Sequence, residues 1–141
     1  MKKIFIIISL GIGIILSGCT GTEAPPNDSQ AAPDITAEYR KITAEQAKEM
    51  MDDTDGWILL DVRTDEEFEA ERIEGAVLIP DYEISSRVEG EISDKDAVIL
   101  IYCRSGNRSA NVAYEMVDMG YTNVYDFGGI IDWPYGTTSG E

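Results

Sequence analysis

Apolar and polar positions alternate along this chain with two different periods, and the switches between them mark its elements. Short, mostly apolar runs at Trp57–Val62, Ala76–Ile79, Ala97–Tyr102 and Thr122–Tyr125 each end in polar or turn-forming residues and read as strands; Tyr39–Ile42 reads as a short first strand. The run Ala97-Val98-Ile99-Leu100-Ile101-Tyr102 is unbroken and rich in β-branched residues, which predicts a parallel strand buried on both faces. Between the strands the period becomes helical. Thr43-Ala44-Glu45-Gln46 has the form of a capping box and opens a helix predicted through Met51, and Thr64-Asp65-Glu66-Glu67 opens a shorter one carrying Phe68. A helical pattern also covers residues 82 to 89. Val112, Met116 and Met119 recur at i, i+4 and i+7 before Gly120, predicting a helix that starts near Arg108. Strands alternating with helices predict an α/β domain, its parallel sheet covered on both faces and its chemistry at the carboxyl ends of the strands. No internal repeat is visible.

The first 36 residues follow a different pattern. Met1-Lys2-Lys3, the apolar run Ile4–Ile15 and then Leu16-Ser17-Gly18-Cys19 have the basic start, hydrophobic centre and small-residue exit of a secretory signal. The run falls short of the roughly 20 residues that a membrane span needs. Leu16-Ser17-Gly18-Cys19 also looks like the bacterial lipoprotein lipobox, which implies cleavage after residue 18, lipidation of Cys19 and an extracytoplasmic, lipid-anchored location. Residues 19 to 36 contain Pro25, Pro26 and Pro33 among small polar residues, lack apolar periodicity, and read as a flexible tether to a domain at 37 to 141.

Charge narrows the partners. The chain of 141 residues carries a net charge of −16; loss of residues 1 to 18 removes Lys2 and Lys3, leaving nine basic against 27 acidic residues, a net −18. Such a balance argues against nucleic acid as a partner. With no histidine in the chain, a Cys-His catalytic pair and histidine metal sites are excluded. Cys19 and Cys103 are the only cysteines, so with Cys19 lipidated no internal disulfide can form.

Cys103 ends the central strand and is followed by Arg104-Ser105-Gly106-Asn107-Arg108-Ser109 at the entry to a helix. Loop amides and the unpaired N–H groups of a first helical turn favour negative charge, and a thiol in that field ionises more readily. The Arg104 and Arg108 guanidinium groups are expected to lower its pKa further, making Cys103 a candidate nucleophile rather than a packed core residue.

The loop Cys103–Ser109, with Leu59-Leu60-Asp61-Val62-Arg63, Glu74-Gly75-Ala76-Val77-Leu78-Ile79-Pro80, and Phe127-Gly128-Gly129 followed by Trp133, resembles the single-domain rhodanese (sulfurtransferase) family over roughly residues 37 to 135. The resemblance implies a three-layer α/β domain with a central, mostly parallel five-stranded sheet and helices on both faces. It also implies that Cys103 takes the outer sulfur of thiosulfate or a related anionic donor as a persulfide and passes it to cyanide or a thiol, with Arg104 to Ser109 binding substrate and no cofactor or metal. Asp61 and Arg63 read as an ion pair bracing the loop rather than as substrate contacts. Gly128, Gly129 and Trp133 read as shaping and packing the final loop. Where family members often show a His and a Pro, this chain has Arg72 and Glu74. Two rival readings are a non-catalytic binding or redox-sensing module of the same fold, and a Cys-dependent phosphatase or arsenate reductase.

Overall fold

A computed structural model describes residues 39–140 of the chain. The predicted signal sequence, Cys19 and the predicted tether fall outside the described residues.

Five parallel strands form the sheet: β1 (Arg40–Lys41), β2 (Ile58–Asp61), β3 (Val77–Leu78), β4 (Val98–Cys103) and β5 (Asn123–Gly129), in the spatial order β1-β5-β4-β2-β3. Both capping boxes form. Thr43 accepts from the Gln46 N–H at 3.2 Å and Gln46 Oε1 accepts from the Thr43 N–H at 2.9 Å, opening α1 (Ala44–Asp53); Thr64 and Glu67 make the same reciprocal pair at the start of α2 (Asp65–Ala70). The chain then passes through a 3-10 turn at Asp81–Glu83 into α3 (Ile84–Glu91), two residues later than the sequence pattern places it. The last helix, α4 (Asn107–Asp118), begins one residue before the predicted start and carries the predicted stripe inward, with Val112 and Met116 buried.

Each strand of the centre feeds two cores by alternation. Ile99, Ile101 and Cys103 point to the face covered by α3 and α4, joining Ile84, Val88, Val112 and Met116. Leu100 and Tyr102 point to the other face, joining Ala47 of α1, Phe127 and Ile130. Cys103 is therefore the last residue of β4 itself, with its side chain on the α4 side.

Strand bounds shift elsewhere. β3 is only two residues long, with the Ile79 N–H still donating to the Asp61 carbonyl at 3.0 Å. β5 runs four residues beyond Tyr125, where Asp126 and two glycines hide a strand from any apolar pattern. Asp126 is fully buried, and its carboxylate is satisfied by the Tyr39 hydroxyl and the Gly128 N–H, each at 2.9 Å.

Candidate active site

The turn that leaves β4 is built around Gly106. It caps α4 with φ 97°, a left-handed conformation that favours glycine, and this brings its N–H within 3.0 Å of the Cys103 sulfur. Cys103 is a free thiol, 1 % exposed. Burial alone would push the thiol's pKa up. The Ser109 N–H and hydroxyl and the N–H groups of Gly106 and Ser105 outweigh it, and the net shift is downward. The loop and helix amides expected to favour the thiolate, joined by the Ser109 hydroxyl, supply most of the lowering, and the Arg108 guanidinium adds a smaller coulombic part. Ser109 is fully buried, its hydroxyl 3.2 Å from the Gly106 carbonyl and 3.3 Å from that of Gly128. A hydroxyl has one proton to donate, so it can turn to the sulfur when charge develops there.

Gly128 and Gly129 at the end of β5 form the wall behind this loop. A Cβ on Gly129 would lie 2.3 Å from the Arg104 carbonyl oxygen and 2.7 Å from the Ser105 Cα, and the Gly106 Cβ position is 3.3 Å from the Gly128 Cα. The two backbones thus approach too closely for any side chain at Gly129. Trp133 is not part of the loop; its ring packs 5.4 Å from that of Phe127 and its indole N–H donates to the Gly136 carbonyl.

The two arginines differ in role. Arg104 is exposed and makes no ion pair among the described residues; it lines a groove of about 240 Å³ with Arg63, Glu67, Ile130 and Ile131. Arg108 spends its fork on Glu67, with Nη1 and Nη2 each 2.8 Å from one carboxylate oxygen. Glu67 is held at a pKa of about 2 chiefly by those hydrogen bonds, against burial, with help from the Thr64 N–H. The sequence pattern places Glu67 only as a capping residue on a solvated acidic face. Its second role was signalled by nothing local, because Arg108 lies 41 residues further on. Asn107 is exposed at the first position of α4.

Asp61 and Arg63 form a buried pair, Nη2 to Oδ2 at 2.7 Å and Nε to Oδ1 at 3.0 Å. Among the described residues no hydrogen bond joins this pair to the Cys103 loop, although Arg63 and Arg104 line the same groove. Arg63 Nη2 donates to the Glu71 carbonyl at the end of α2, so the brace acts on α2, which carries Glu67. Tyr102 belongs to the same network, its hydroxyl accepting from the Ile73 N–H and its ring 5.5 Å from the Arg63 guanidinium carbon. Arg72, where the family often has other chemistry, pairs its backbone with Thr138 and lays its guanidinium over Phe68. Among the described residues no three His, Cys, Asp or Glu side chains converge to hold a metal ion.

Comparison with known proteins adds an independent line. The rhodanese-like domain family matches residues 43–134. The chain is 36% identical over 76 residues to a protein named thiosulfate sulfurtransferase PspE of Escherichia coli, covering 54% of this chain and 71% of that protein. It is 35% identical over 94 residues to a sulfurtransferase of Allochromatium vinosum, covering 66% of this chain and 86% of the other. A crystal structure of a rhodanese-like domain protein from Staphylococcus aureus superposes with a TM-score of 0.62 at 28% identity, over 72% of this chain and 99% of that one.

Proposed function

This chain belongs to the rhodanese-like domain family, and we propose from that premise that it moves sulfane sulfur from thiosulfate or a related donor to cyanide or a thiol through a persulfide on Cys103. The observation that carries the reading is the Gly106 N–H, 3.0 Å from a buried thiol whose pKa is drawn down by the ring of donors around it. A thiolate there attacks the outer sulfur of thiosulfate. The new S–S bond forms on Cys103 as the old one breaks, and its electron pair leaves on sulfite. The terminal sulfur of the resulting persulfide carries the negative charge, and the amides of Ser105, Gly106 and Ser109 that favour the thiolate are positioned to favour this anion too. Attack by cyanide or a thiolate on the terminal sulfur then returns the Cys103 thiolate. Arg104, which makes no ion pair among the described residues, is the side chain suited to meet the anionic donor.

Loop size favours this reading over phosphoryl transfer. Four residues separate Cys103 from Arg108, whereas Cys-dependent phosphatases use five, and the shorter ring leaves less room for donors around three equatorial phosphate oxygens. Incubation of the purified chain with thiosulfate, followed by intact mass measurement, is expected to show a gain of one sulfur on Cys103, with no appreciable hydrolysis of aryl phosphates. Robust phosphatase activity that depends on Cys103 would overturn the assignment.

We further propose that the enzyme is exported and tethered by a diacylated Cys19, with residues 1–18 removed, residues 19–36 as tether and the catalytic domain at 37–141. The support is the lipobox Leu16–Cys19 directly after the apolar run. Cys19→Ala is expected to remain unprocessed and to carry no lipid. A variant recovered in the same processed, membrane-bound form as the wild type would refute the anchor.

A further inference from the structure

The Arg108 fork, at the start of the helix that follows the Cys103 loop, is occupied by a carboxylate. An arginine binds a carboxylate and a phosphate or sulfate with the same pair of parallel N–H donors, so a fork that holds one does not hold the other. Glu67 fills it, at 2.8 Å on both arms. The pair is half-buried, its side chains 30 % and 27 % exposed, and it is anchored from both ends. Arg108 stands in the first turn of α4, close enough to the Cys103 thiolate to feel its charge. Glu67 is fixed by its capping bond to the Thr64 N–H at 3.2 Å, and α2 is fixed in turn by Arg63 on the Glu71 carbonyl.

We infer that Glu67 is a specificity-determining residue: its carboxylate is a built-in occupant of the Arg108 fork that keeps tetrahedral oxyanions from being clamped over Cys103 and leaves the sulfur cradle to the loop amides. This deepens the sulfur-transfer reading and rests on it. In that reaction sulfite, itself an oxyanion, must leave after each transfer, and an unoccupied guanidinium fork would hold it back. Inorganic phosphate and sulfate would compete for the same place. Glu67 also acts as a positioning residue, because it sets where the Arg108 charge lies relative to the thiol.

The molecule supplies its own control for the variant. Gln46 occupies the same third helical position in the α1 capping box and makes the same bond to its N-cap N–H that Glu67 makes in α2. Glu67→Gln therefore keeps the cap through its amide oxygen while removing the charge and the acceptor of the Arg108 Nη2 bond. The expected result is that the full chain carrying Glu67→Gln binds inorganic phosphate about tenfold more tightly than the wild type by calorimetry, the factor that one charge-assisted hydrogen bond is worth. Phosphate and sulfate should inhibit its thiosulfate-to-cyanide transfer at correspondingly lower concentrations. Replacing Arg108 by Gln in the Glu67→Gln background should erase the gain. Phosphate affinity unchanged in Glu67→Gln, whether or not the melting temperature falls, would overturn the inference, and so would a gain that survives without Arg108. Phosphate binding needs no turnover, so a wild type that takes no sulfur from thiosulfate would sink the proposed reaction and leave the binding comparison to be read by itself.

Discussion

Cys103→Ser is expected to fold like the wild type and to transfer no measurable sulfur from thiosulfate to cyanide. The exchange removes little volume at a site that is 1 % exposed, and a serine oxygen can still accept the Gly106 N–H, so the melting temperature should stay within a few degrees of the wild type. Chemistry is another matter. The hydroxyl is essentially un-ionised at neutral pH even with the Ser105, Gly106 and Ser109 donors around it, and no sulfane-sulfur intermediate can form on oxygen. Loss of the nucleophile should lower turnover by a factor on the order of 10⁴ or more. The check is the thiosulfate-dependent formation of thiocyanate together with the melting curve. Activity persisting in Cys103→Ser would discard the persulfide mechanism, whereas loss of the fold would leave the matter to thiol alkylation: iodoacetamide should inactivate the wild type, and pre-loading with thiosulfate should slow that inactivation.

Gly129→Ala should have the second largest effect, although it changes no chemical group. Its Cβ would lie 2.3 Å from the Arg104 carbonyl oxygen, 2.7 Å from the Ser105 Cα and 2.8 Å from the Arg104 carbonyl carbon, all backbone atoms of the Cys103 loop. No flexible side chain can yield there, so either the loop or the end of β5 must move. Displacing donors by about 1 Å can cost on the order of a hundredfold in rate, and that is the expected fall in sulfur transfer. The overpacking should also cost about 1–3 kcal/mol, or roughly 5–15 °C in melting temperature. A loop pushed away from Cys103 loses hydrogen bonds to the thiolate, so the pH dependence of thiol alkylation should move to higher pH. Gly90, in α3, offers the contrast: nothing lies within 4 Å of its Cβ position, and Gly90→Ala should leave transfer unchanged. Equal effects at the two positions would show that the close approach of β5 to the loop does not position the donors.

The sequence by itself determined the α/β class, the presence of all five strands, both capping boxes, the inward stripe of α4 and the position of Cys103 at the end of the central strand. Each of these is read from short stretches of the chain: a cap and its third helical residue, an apolar stripe at i, i+4 and i+7, an unbroken β-branched run. Only the tertiary structure decided how the loop is held and charged. The Arg108 fork is placed on Glu67, the Asp61–Arg63 pair braces α2 instead of the Cys103 loop, and Asp126 continues β5 because the Tyr39 hydroxyl, far off in the sequence, satisfies its carboxylate. The thiol's lowered pKa likewise comes chiefly from Ser109 and from amides aimed by the left-handed Gly106 and backed by Gly129, with the Arg108 guanidinium in a lesser part. For the Arg108 fork and for Asp126 the physical reason is distance along the chain, and for the α2 brace and the thiol's donors it is backbone conformation that no apolar pattern records. Where a charge or an N–H points is fixed by strand register, helix docking and loop dihedrals, and local periodicity carries no record of any of these.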